Sequence, residues 1–150
     1  MKPNLKIISI AVIGSLALLQ ILPLGPQFVN PSITGEPTWD SPRTKELFRQ
    51  ACADCHSHET AYPWYSNIAP VSWLVARDIN EGREHFNVSA WGMQKKNEGS
   101  DAAKEVREGE MPMWIYTLTH PEAKLSEVEK QELISGLEKT FGKEQGEGED

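Results

Sequence analysis

The sequence predicts a mainly helical domain of about 100 residues behind an apolar N-terminal segment. Three observations predict it. Apolar residues recur at helical spacing in several stretches after residue 41. Two of those stretches open on helix-start signals, Ser41-Pro42 and the capping box Ser126-Glu127-Val128-Glu129. No stretch alternates apolar and polar residues as a half-buried strand would, and no internal repeat is visible.

The first element is the apolar run Ile7–Leu24, which carries no charge and follows Lys2 and Lys6. Its 18 residues, as a helix, would extend about 27 Å, close to the thickness of a bilayer's hydrocarbon core. Lysines on its N-terminal side would stay in the cytoplasm and export the remainder. The reading is an uncleaved transmembrane anchor over residues 1–25, single-pass in a bacterial inner membrane, with the following domain on the periplasmic side. A cleaved signal peptide is the competitor, with a cut after Ala17 or near Gly25. Pro23 to Pro42 then holds five prolines and two glycines, so residues 26–40 read as an extended linker.

The domain is predicted over residues 41–141. Serine at the N-cap and proline at N1 start a helix at Pro42, and Leu47, Phe48, Ala51, Cys52 and Cys55 carry it to about Cys55. Ser57 to Ala69 reads as a loop. Pro70 opens a second helix with Val71, Leu74, Val75 and Ile79 on one face. Ser100 caps a third helix over Asp101 to Glu108, which Gly109 ends. Glu110-Met111-Pro112-Met113-Trp114 reads as a loop. A last helix runs to about Thr140 and buries Leu133, Ile134, Leu137 and Phe141. Residues 142–150 are a polar, acidic tail without apolar residues, expected to be disordered.

The net charge is −7. Lys2 and Lys6 are the only charges before Glu36, so the remainder sets 13 basic residues against all 22 acids, a net of −9. That balance argues against nucleic acid as a partner and suits solubility or docking to a basic protein. No proton-transfer dyad, nucleophile triad or phosphate loop is visible.

The chemistry lies in Cys52-Ala53-Asp54-Cys55-His56, which contains both cysteines of the chain. Cys-x-x-Cys-His is the attachment signature of a c-type haem. Positions i, i+3 and i+4 share a helix face, so two thiols and an imidazole can address one macrocycle, with His56 as proximal iron ligand. A redox dithiol or a zinc site are the alternatives. A dithiol normally accompanies a βαβ pattern, and a zinc site would need His58 crowded beside His56. Haem attachment also suits export, because in bacteria it takes place outside the cytoplasmic membrane.

For the sixth iron ligand the sequence offers Met111, Met113, Met93, His58, His85 and His120. A Met-Pro behind a helix-ending glycine presents a thioether rigidly, which puts Met111 ahead of Met113 and both ahead of a histidine or an open site. Trp64, Tyr65, Trp73, Trp91, Trp114 and Tyr116 read as core. Arg77 and Arg83 could meet haem propionates, although a solvated helix face is the ordinary reading of both.

The run CADCHSHETAYPWYSNIAPVSW from Cys52 to Trp73, with Gly82-Arg83, Trp91-Gly92, Gly109-Glu110-Met111-Pro112 and His120-Pro121, resembles the bacterial haem-binding domain family of small cytochrome c-like proteins. Met113 departs from the family, which more often has a second proline there. The resemblance implies a cytochrome c-like helical domain around one covalently attached haem c, often behind an N-terminal anchor. It implies cofactor binding by Cys52, Cys55 and His56. It does not supply the redox partner. The function expected is single-electron transfer by a membrane-tethered carrier, not an enzyme. A haem-based sensor or a peroxidase-like enzyme with an open distal site is the alternative.

Overall fold

The computed structural model describes residues 4–21 and 25–142. They divide into two compact units: Met1–Val29 with Tyr62–Asp78, and Asn30–Ala61 with Ile79–Asp150. The expected acidic tail lies, from residue 143 onward, outside the described residues. The fold is mainly helical, as the sequence predicts. Among the described residues the only sheet-like pairing is an isolated bridge between Gly35 and Ala90.

The first unit holds helix α1, Leu5–Ile21, which buries none of its residues. Gln20 donates its side-chain N–H to the carbonyl of Ala69 at 2.8 Å and accepts the Ala69 N–H at 3.2 Å. Phe28 packs on Tyr62, with ring centroids 5.0 Å apart.

The transmembrane expectation is corrected here. Helix α1 has 17 residues and a length of about 25 Å, short of the roughly 30 Å of a bilayer's hydrocarbon core. Among the described residues no helix is long and apolar enough to cross a membrane. The expected anchor and the single-pass inner-membrane location fall with it. Residues 22–24 of the apolar run lie outside the described residues. The expectation took all 18 residues of the run as one helix, whereas the described helix holds 17 and begins two residues earlier, at Leu5.

The second unit carries the core. Helix α2, Pro42–Ala51, starts where its sequence says: Ser41 accepts the Thr44 N–H at its side chain. The remaining helices are α3, Ala53–His56; α4, Val71–His85, whose last turns belong to this unit; α5, Ala102–Glu108; α6, Trp114–Thr119; and α7, Glu127–Phe141. Ser126 and Glu129 close the capping box in both directions. Helix α7 packs against α2 and α5. Leu47, Phe48, Val106, Leu133, Ile134 and Leu137 fill the space between them. Trp39 closes one side, with its ring 5.1 Å from Phe48 and 5.6 Å from Phe141.

Three elements differ from the sequence reading. The first helix breaks at Cys52, so the motif sits on a separate turn, α3. Residues 114–119, read as following a loop, form α6. On α4, Ile79 is buried, whereas Val71 and Leu74 are exposed.

Candidate functional site

Helix α2 delivers the motif and ends on it. The Cys52 N–H still bonds back to the Phe48 carbonyl at 2.8 Å, but Cys52 itself leaves helical geometry at φ −128°, ψ −29°. Its carbonyl then accepts both the Cys55 N–H at 3.2 Å and the His56 N–H at 3.0 Å. That winds one turn and keeps two thiols and an imidazole in a single compact stretch.

His56 is 8% exposed and fixed from three directions. Its ring stacks on Phe86 with centroids 4.2 Å apart and planes 17° apart. Its Nδ1 lies 3.2 Å from the Phe86 carbonyl oxygen. Its own carbonyl accepts the Val88 N–H at 2.9 Å. A carbonyl can only accept, so the proton belongs on Nδ1 and the lone pair on Nε2. Burial holds the imidazole below its ordinary range, although the Phe86 and Gly82 carbonyls pull the other way. The result is a neutral, oriented imidazole, the form in which histidine binds a metal.

Burial pushes the Cys52 thiol up to about 12, and the nearby Cys55 adds to the shift. A redox dithiol needs the opposite, a depressed thiol. The zinc alternative also lacks its geometry. Among the described residues no three side chains of His, Cys, Asp and Glu gather as a metal-holding group. His58, which such a cluster would need, places Nδ1 3.0 Å from the Ser32 carbonyl.

The turn after the motif is tied down by Arg83, which donates from Nε to the Ser57 carbonyl at 2.9 Å. Its Nη2 donates to Thr60 Oγ1 at 3.0 Å and to Asn30 Oδ1 at 3.1 Å. Arg83 is therefore a strut for this turn rather than the solvated residue of the ordinary reading. Gly82 on α4 comes closer still. A Cβ there would lie 2.7 Å from the Cys55 carbonyl oxygen and 2.9 Å from Cys55 Cβ, so only glycine admits this approach.

The candidate sixth ligands separate. Met93 is 73% exposed. His85 is engaged by Glu98, and His120 has Nδ1 3.2 Å from the Tyr116 carbonyl. Met111 packs against the hydrophobic cluster on which Cys52 also packs. Gly109, at φ +83°, turns the chain out of α5, and the Glu105 carbonyl accepts the N–H of Glu110 at 3.0 Å and of Met111 at 3.2 Å. Met113 is half-buried at the start of α6.

The sequence of the haem-binding domain family matches residues 14–139. The chain belongs to that family. No curated protein and no solved structure matches it. As a haem-binding domain the chain has a donor set that fits: two thiols one turn apart, and a buried imidazole whose Nδ1 is turned to the Phe86 carbonyl. Sequence reasoning missed four residues around that set. Gly82 carried a signal, because a glycine inside a helix is costly and marks a close approach. Phe86 acts through a backbone carbonyl, which leaves no trace in sequence. Asp54 and Tyr116 are 62 positions apart, yet Tyr116 donates its hydroxyl proton to Asp54 Oδ2 at 2.7 Å. Burial first, and then the Asp54 carboxylate, push the ionisation of Tyr116 well above the ordinary phenol range.

Proposed function

We propose that the chain carries one haem c, joined through Cys52 and Cys55 and ligated by His56 and Met111, and passes single electrons without catalysing a reaction. The observation that carries this reading is His56, buried, stacked on Phe86 and tied through Nδ1 to a carbonyl. That arrangement leaves Nε2 as the donor and fixes its direction, and the Nδ1–H bond makes it a stronger donor. When bound, the haem supplies a one-electron couple. Burial, which pushes the Cys52 thiol above its ordinary range, supports a structural thioether role over a redox role. Met111 brings a soft, neutral sulfur that favours reduced iron and raises the potential relative to two histidines. With His56 and Met111 both holding the iron, the haem would keep no open position for a substrate. The acidic exterior suits a redox partner with a basic docking face.

Two measurements test the proposal. Denatured protein should keep its haem stain, and acidified solvent that extracts the haem would refute covalent attachment. The oxidised protein should show the weak red charge-transfer band of sulfur-bound ferric haem, and the reduced protein should bind carbon monoxide slowly or not at all. Met111→Ala should abolish the band and admit carbon monoxide, whereas Met113→Ala should do neither. Immediate binding by the wild type would replace the carrier with a sensor or enzyme.

A further inference from the structure

We propose that Tyr116 and Asp54 are positioning residues, a clamp that holds the Met111 loop to the haem-attachment turn; the inference rests on the ligand reading above and deepens it. Helix α6 has six residues and buries none of them. Trp114, Ile115 and Leu118 are 73%, 55% and 71% exposed. A helix this short has little stability of its own, and α6 is only partly covered, at Tyr116 and Thr117, so tethers do most to set its position.

The tethers are visible. Upstream, the Glu105 carbonyl takes the N–H groups of Glu110 and Met111. Downstream, Ala123 is 0% exposed, and Gln50 donates from Nε2 to the Glu122 carbonyl at 2.6 Å. Between them, the Tyr116 hydroxyl reaches Asp54, which stands between the two cysteines. Both ends of this bond are prepared. Asp54 Oδ1 accepts the Ala61 N–H at 2.8 Å, and its carbonyl accepts the Thr60 hydroxyl at 2.6 Å. The Tyr116 ring stacks on His120 with centroids 4.1 Å apart, which aims the phenol. A carboxylate acceptor makes the bond stronger than a neutral one. Met111 is thus carried on a span fixed at Glu105 and at Tyr116, and the second fixing point is the attachment turn itself.

The test uses the full, haem-loaded chain. Tyr116→Phe keeps the stacked ring and removes only the hydroxyl. That variant and Asp54→Ala should each speed amide hydrogen exchange across residues 111–119 by about tenfold. Both should weaken the sulfur charge-transfer band while covalent haem and far-ultraviolet dichroism are kept. The double variant should do no more than Asp54→Ala alone, since that change already removes the Tyr116 bond along with the one from Ala61. Asp54→Asn keeps one acceptor oxygen, for the Ala61 N–H, and offers Tyr116 only an uncharged amide, so it should fall between Asp54→Ala and wild type. Unchanged exchange in Tyr116→Phe, or effects that add in the double variant, would sink the clamp. A wild type without the band would sink Met111 ligation alone, because exchange still decides the clamp whichever residue binds iron.

Discussion

His56 is held by its ring, its Nδ1 and its carbonyl, all against residues 86–88, and the helix that delivers it rests on Leu47 and Phe48, which are 0% and 1% exposed. The loop and helix from Glu110 to Thr119 are held otherwise, by hydrogen bonds at Glu105 and Asp54, with the apolar side chains of α6 left in solvent. One side of the candidate site is fixed by burial and the other by polar tethers. Burial is cooperative with the whole core, so the attachment turn should open only when the domain unfolds. A tethered segment can open by itself at lower cost.

The strongest way to break the comparison is at its buried end. Phe48→Ala should cost about 3–5 kcal/mol in denaturant unfolding, since Phe48 sits beneath Trp39, Phe86 and Phe141. A loss near zero would show that the core does not rest there. Gly82→Ala should cost about 1–3 kcal/mol, by forcing α4 away from Cys55. It should also lower the yield of covalently loaded protein, and a full yield would remove Gly82 from the site.

Ser126→Ala sharpens the contrast by touching neither side. Losing an N-cap should cost about 1 kcal/mol and leave the haem spectrum unchanged. It should also flatten an acid dependence. Bonds from Ser126, and then Arg43, hold Glu129 below 4.5, so its contribution is complete above pH 4.5 and is lost as pH falls through the lower folded-state value. Unfolding curves at pH 7, 4.5 and 3 should show a smaller acid loss in the variant than in the wild type. The smallest effect is expected at the tethered end. Trp114→Ala truncates as large a ring as any in the chain, yet should change stability by no more than about 0.5 kcal/mol. A loss of several kcal/mol would mean that α6 is built into the core after all.

The buried side was far more legible in the sequence than the tethered side. Ser41-Pro42, the Ser126–Glu129 box and the buried set Leu133, Ile134 and Leu137 follow from local chemistry and period, and they stand where predicted. The Cys-x-x-Cys-His motif announced the haem-binding domain, whose family match covers residues 14–139. Helix α6 escaped because Pro112 and a six-residue length give periodicity too little to work on. Val71 and Leu74 were misread because period alone says which residues share a face, not whether anything covers it. The anchor failed because an uncharged run shows how apolar a segment is, not how long a helix it forms. Gly82 against Cys55, and Tyr116 on Asp54, are meetings of distant segments that no local pattern encodes.

The break at Cys52 bears on the order of events during maturation. Helix α3 has four residues, too few to persist in an unfolded chain. A newly made polypeptide therefore offers Cys52 and Cys55 on an irregular, open segment. Folding then winds the turn and half-buries Cys52 against the core. We expect chemistry on that thiol to come first and the shape of the site second. Haem-free protein tests this: a thiol reagent should modify Cys52 quickly in denaturant and slowly after refolding, and equal rates would reverse the order. If the haem is attached as proposed, a chain that folds first offers Cys52 less freely, so the order of folding and attachment becomes part of assembly.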